Sequence, residues 1–195
     1  MEIIQDGGFF HGSCTVFMGD GSHKQVKDIR RGDTVRSFNR RCVKVLGVMI
    51  TRIPNKKTDL VKIGDLLITP YHPVLFDNHW TFPKDIVKPH SQACVKLYTF
   101  ALESDHIILI NSVPCACLAH NIRGPVVSHD YFGTDRILRD LEKLSSWKKR
   151  GVVELSSYNF IRNPVTHLVE GIDIVPPYGD TRQDFCETPK QSLSL

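Results

Sequence analysis

The chain has no apolar run approaching the ~18 residues a membrane helix needs. Its opening, Met1-Glu2-Ile3-Ile4-Gln5-Asp6, lacks the basic end and long apolar stretch of a secretory signal. These two absences predict no membrane partner and a cytoplasmic location. A disulfide framework is also missing. Cys14, Cys42, Cys94, Cys115, Cys117 and Cys186 show no regular spacing, and 195 residues is long for such a scaffold. A reducing compartment is the expectation that follows. Nor is there a long basic run interleaved with aromatics. The basic residues form short groups (Arg30-Arg31, Arg40-Arg41, Lys56-Lys57, Lys148-Lys149-Arg150) in a chain of net charge +4. They read as solvated surface charge, and no nucleic-acid partner is expected. What is present is an ordinary globular mixture, 41% hydrophobic and 24% charged, long enough to bury a core.

From about Gly8 to Asn121 the pattern predicts β structure. Short apolar runs recur between turn signals: Thr15–Met18, Gln25–Ile29, Cys42–Ile53, Leu60–Gly64, Asp65–Thr69, Ala93–Leu102 and Ile107–Ile110. Many short, closely spaced strands imply a sandwich- or barrel-like unit. The texture changes after Gly124. Thr134 is placed to cap a helix reaching Arg150, with an apolar stripe at Ile137, Leu138, Leu141, Leu144 and Trp147 and a stop at Gly151. The polar end, from about Asp180 to Leu195, reads as a mobile tail.

Four blocks of residues carry a resemblance. The first is Gly8-Phe9-Phe10-His11-Gly12-Ser13-Cys14-Thr15-Val16, continuing without a gap through Lys27-Asp28-Ile29 and Gly32-Asp33-Thr34-Val35. It resembles the opening of the hedgehog C-terminal domain, Gly-Cys-Phe-x-Gly-Ser-Ala-Thr-Val and its sequel. The second is Thr69-Pro70-Tyr71-His72, a Thr-x-x-His. In the third, Tyr98, His106, Asn111 and Cys117 keep the spacing of the last intein blocks. Thr99 there takes the place of an assisting Asp, and Cys117 stands where inteins have their terminal Asn and hedgehog domains a Cys. His120-Asn121 looks like the intein ending but lies four residues later than Cys117, so it is read as a decoy. The fourth is Cys117-Leu118-x-His120, Val127-Ser128-His129-x-Tyr131-Phe132-Gly133-Thr134, Trp147 and Gly151. Together with Trp80-x-Phe82-Pro83 it is similar to the Vint type of the hedgehog/intein (Hint) superfamily, which accompanies von Willebrand A and sometimes ubiquitin-system modules.

The resemblance implies a mainly β, horseshoe-like Hint fold with a small C-terminal α/β extension. It divides the chain into an upstream remnant (1–7), a Hint core (8–123), an extension with one helix (124–178) and a flexible tail (179–195). It also implies autoprocessing: a Cys at position 9 would take the acyl group of Gly8 as a thioester, with the upstream polypeptide as partner in cis and no cofactor. Thr69 and His72 would polarise the bond and protonate its nitrogen, which imidazole can do near neutral pH. His106 and Cys117 complete the expected catalytic set.

Position 9, however, is Phe9. A phenyl ring cannot attack a carbonyl, so activity is expected to be absent or impaired. Cys14 is no substitute: five residues along a strand place it about 16 Å away. It reads instead as a small buried apolar residue. Phe9 has two accounts, a relic that kept the fold and lost the reaction, or a changed or mis-sequenced residue. Besides autoprocessing, two further functions stand open. One is a non-catalytic interaction or spacer module in a larger von Willebrand A or ubiquitin-related protein. The other is a zinc site from Cys115, Cys117, His120 and His129, whose C-x-C spacing is not a usual structural-site pattern.

Overall fold

The computed structural model describes residues 7–173. The expected tail, and the extension beyond 173, lie outside the described residues. Among the described residues sixteen strands carry the fold. They are β1 Phe10–His11, β2 Thr15–Phe17, β3 His23–Gln25, β4 Thr34–Arg36, β5 Cys42–Arg52, β6 Lys57–Ile63, β7 Leu66–Ile68 and β8 Val74–Phe76. Then come β9 His79–Thr81, β10 His90–Ala93, β11 Lys96–Leu102, β12 Ile107–Ile110, β13 Val113–Ala116, β14 Val152–Leu155, β15 Phe160–Arg162 and β16 Val169–Ile172. One sheet runs β10-β6-β7-β1-β11-β5-β14, with β4 also on β5. A second runs β3-β2-β12-β13-β8-β9, and β15 and β16 form a hairpin. The pairs are antiparallel except β14 on β5, where Val152 faces Val48. The mainly β expectation therefore holds.

The long strand β5 shows why these residues pair. Val43 and Val45 are buried between exposed neighbours, the alternation of a sheet with one wet face. A bulge then leaves Leu46 out of register, because Ala101 pairs with Gly47 while Leu102 pairs with Val45. Past it, Val48 and Met49 are both buried, since each face of the sheet is now covered. Two apolar cores result. One, between the sheets, contains Phe10, Val16, Val26, Val48, Phe100 and Ile108. The other contains Phe9, Met49 and Leu97 together with Tyr131, Phe132, Ile137, Leu141, Trp147 and Phe160 of the extension. Successive side chains of a strand point to opposite faces, so Phe9 and Phe10 anchor different cores.

Three local expectations need correction. The strand expected over Gln25–Ile29 ends at Gln25, and Val26–Asp28 forms a 3-10 turn. The i, i+3 spacing of that turn buries Val26 and Ile29 together. The run Ala93–Leu102 is two strands, because β10 pairs with β6 while β11 pairs with β5. The crossing is fixed by Cys94 N–H on Lys56 O (2.9 Å) and Ile53 N–H on Val95 O (2.9 Å). The single helix expected up to Arg150 is also two. After a first short helix α1 at Pro83–Ile86, α2 covers Arg136–Leu141 and α3 covers Ser145–Arg150. Leu144 between them is extended (φ −80°, ψ 129°). That break lets Ile137 and Leu141 face the core while Trp147 reaches β5 at Gly47. Gly151 then closes α3 in the left-handed conformation (φ 65°), as its position after the basic triplet predicts.

Candidate functional site

The Gly8–Phe9 peptide enters the middle of the large sheet. Phe10 pairs with Tyr98 on one side and Ile68 on the other, so the residues just before it lie beside the end of β7. Thr69 stands there fully buried. Its Oγ1 accepts the Phe9 N–H at 3.1 Å and donates to Gly7 O at 3.0 Å. Its own N–H donates to Phe9 O at 3.0 Å. The threonine thus clasps the peptide on both sides through three bonds.

A tight turn, with His72 N–H on Thr69 O (3.2 Å), brings the His72 ring over the same peptide. A Cβ on Gly8 would stand 2.8 Å from His72 Cγ and 2.9 Å from Nδ1, so only glycine allows this approach. The ring also packs on Phe10, with centroids 4.4 Å apart. Nε2 lies 2.7 Å from Ala116 O. A carbonyl only accepts, so Nε2 carries the proton and Nδ1 bears the lone pair. Nδ1 is buried with no hydrogen-bond partner among the described residues. Burial lowers the His72 pKa from 6.5 to about 4, against the opposing pull of Ala116 O and the Phe9 backbone; nearby His120 lowers it further.

In the unfolded chain His72 takes a proton near pH 6.5, whereas in the fold it stays neutral down to about pH 4. The unfolded state binds more protons inside that window, so stability is complete above it and falls as pH drops through it. Urea unfolding should lose on the order of 2 kcal/mol between pH 8 and pH 5 from this group. His72→Gln should flatten the slope, and an unaltered slope would rule out His72 as its source.

A cavity of about 420 Å³ opens beside the peptide. Gly8, His72, Thr99, Cys117 and His120 lie on its inner wall, with Phe132 and Leu168 among the apolar residues around them. Thr99 and Cys117 are both buried. Burial pushes the Cys117 thiol far above its usual range. His106 meets Cys117 through the backbone, its carbonyl accepting the Cys117 N–H at 2.9 Å. Its half-buried ring does not line the cavity, and burial lowers its pKa while Asp135 and Asp105 oppose that shift. Of the five expected positions, the structure therefore gathers Phe9, Thr69 and His72 around one peptide and sets Cys117 on the adjoining cavity, with His106 behind it. His120, passed over as a decoy, lies on that wall; the signal was its place in the Cys117-Leu118-x-His120 run.

Phe9 is not part of this wall and packs in the extension core. It is 3% exposed and meets Phe132 edge-on, with centroids 6.4 Å apart. Cys14 is buried, as its spacing predicts, and bridges to β7: its Sγ donates to Leu67 O (3.3 Å) and receives Leu67 N–H (3.2 Å). Among the described residues no three His, Cys, Asp or Glu side chains converge as metal ligands.

No curated protein is similar enough in sequence to be matched. Among solved structures, the gp41-1 intein aligns at 16% identity and a TM-score of 0.43, covering 57% of this chain and 99% of the intein. A DnaB intein from Synechocystis sp. aligns at 12% and 0.42, with 57% and 99% covered. An intein-like domain from Clostridium thermocellum aligns at 14% and 0.45, with 56% and 97% covered. The model of the Vint family, a Hint domain, matches residues 8–171. That span takes in both cores, the clasped peptide and the wall of the cavity, and the chain belongs to the Vint family of Hint domains.

Proposed function

We propose that this chain is an autoprocessing domain for the Gly8–Phe9 peptide whose acyl-shift site is assembled but lacks its nucleophile. The observation that carries the reading is the double grip on that peptide. Thr69 Oγ1 holds the Phe9 N–H at 3.1 Å, and the His72 ring lies against Gly8 closely enough to exclude any Cβ.

With a thiol at position 9 the steps balance. The thiol proton passes to His72 Nδ1, and sulfur bonds to the Gly8 carbonyl carbon. The C–N bond then breaks, and its electron pair stays on nitrogen, which takes the proton from Nδ1. An added thiol exchanges with the resulting thioester and frees the upstream segment. His106 and Cys117 would act on the acyl group after this step. The upstream polypeptide is the partner in cis.

The test is Phe9→Cys with a reporter protein fused before Gly8, followed by intact mass with and without added thiol. Thiol-dependent loss of the reporter in Phe9→Cys, and a silent unchanged chain, are the expected results. An uncut Phe9→Cys protein that is demonstrably folded overturns the reading. The alternative is then a non-catalytic module of a larger protein, favoured by the depth at which Phe9 is packed in the second core.

A further inference from the structure

The cavity holds a histidine that the acyl shift, as described, does not use. His120 sits on its wall with Gly8, His72 and Cys117. Its neighbours on either side, Ala119 and Asn121, both adopt the left-handed conformation with φ of 55°. Non-glycine residues rarely do so, and such strain persists only where the surroundings over-determine it. Here they do: Ala119 N–H donates to Phe132 O and Asn121 N–H to Gly133 O, each at 2.8 Å. Asn121 Nδ2 adds bonds to Ala119 O (3.2 Å) and Asp135 Oδ1 (3.1 Å). The ring rests against Gly133, where a Cβ would stand 3.1 Å from Cε1 and Nε2.

The hydrogen bonds also set the tautomer. His120 Nδ1 accepts the Ile122 N–H at 2.9 Å, so the neutral ring carries its proton on Nε2. Burial, with His106 and His129 nearby, lowers its pKa to about 4, which keeps the ring neutral at pH 7. Its lone pair is already taken by the backbone. With Nδ1 engaged, the neutral ring has only a hydrogen bond to give and no lone pair with which to take a proton.

We infer that His120 Nε2–H is the donor that stabilises the acyl oxygen of Gly8 as charge develops on it, a catalytic role separate from the proton transfer by His72. This rests on the proposed acyl shift. In the tetrahedral adduct of the thiol and the Gly8 carbonyl, Nε2–H donates to the oxyanion and keeps its proton throughout. The bonds made and broken are those already given.

Two isosteric replacements separate this role from a structural one. In Phe9→Cys protein, His120→Asn keeps an acceptor at the Nδ1 position for Ile122 and loses the Nε2 donor. His120→Gln keeps a donor at the Nε2 position and loses the loop bond. Rates of thiol-dependent cleavage are measured with 2-mercaptoethanesulfonate, alongside urea midpoints. The expected result is a rate loss of about a hundredfold for His120→Asn and a much smaller one for His120→Gln. The urea midpoints should rank the opposite way. If Phe9→Cys cleaves and both double variants match it, or Asn outperforms Gln, His120 is not the donor. A silent, folded Phe9→Cys protein overturns the acyl-shift reading itself and this inference with it. As an independent check, 15N shifts of the unchanged protein should show His120 protonated at Nε2; a proton on Nδ1 overturns the assignment.

Discussion

Phe9→Ala should destabilise the fold by about 3–5 kcal/mol, the usual cost of deleting a core phenyl group. The ring is buried and belongs to a chain of aromatic contacts. Phe9 meets Phe132 at 6.4 Å, and Phe132 meets Tyr131 at 5.4 Å and Phe160 at 6.0 Å. On its other side the ring covers Gly7, where a Cβ would collide with Cε2. The cavity left by alanine lies between the sheet and the extension, whose rigid neighbours cannot collapse to fill it. Urea unfolding should show a lower midpoint with an unchanged slope. A loss below about 1 kcal/mol would falsify the view that the phenyl group anchors the extension. The same reasoning bears on Phe9→Cys, which keeps little of the ring's volume and should lose about 3 kcal/mol. Its cleavage is therefore read beside a measured folded fraction.

The second large effect is expected at Gly47. A Cβ there would collide with the Trp147 ring and stand 2.7 Å from Gly151 O. That oxygen already accepts the Val48 N–H at 2.8 Å. Arg31 pins the tryptophan from above, its guanidinium 5.6 Å from the ring centroid and its Nε on Leu46 O at 2.7 Å. The side chain and the backbone both block relief, so Gly47→Ala should cost about 2–3 kcal/mol as an overpacked site. In a chain of this size that corresponds to a Tm lower by roughly 5–10 °C. The effect should shrink in a Trp147→Ala background, where only the backbone obstacle remains. Additive losses in that double-mutant cycle would show that the tryptophan is not the obstacle.

How much of this was legible in the sequence depended on the range of the forces involved. Cys42–Arg52 announces itself by the alternation with which it opens, and Ile107–Ile110 as a short continuous apolar run of strand length. The division of Ala93–Leu102 does not, because Cys94 and Val95 carry no turn residue and the break is set by distant partners, Lys56 and Ile53. The helix break is similar: Leu144 fits a helical stripe, and only the need of Trp147 for the hollow at Gly47 forces it out. Within the site, the Thr69–His72 pair could be read because both residues lie in one turn. His120 stood in the Cys117-Leu118-x-His120 run, but the setting of its ring arises from two left-handed neighbours and from Gly133, which no spacing rule encodes. Phe9 was visible as a departure, but that its ring belongs to a second core needed the fold.

One consequence of the place of β1 in its sheet is mechanical. This two-residue strand has an antiparallel partner on each side, and the chain before Phe10 is tied by Thr69 to both Gly7 and Phe9. A pull on any polypeptide joined ahead of Gly7 would run along the strand and shear its flanking bonds together instead of unzipping them singly. Tension would concentrate at Gly8–Phe9, the peptide that Thr69 and His72 grip. In this chain, with a phenyl ring seated behind it, that peptide is a clamp.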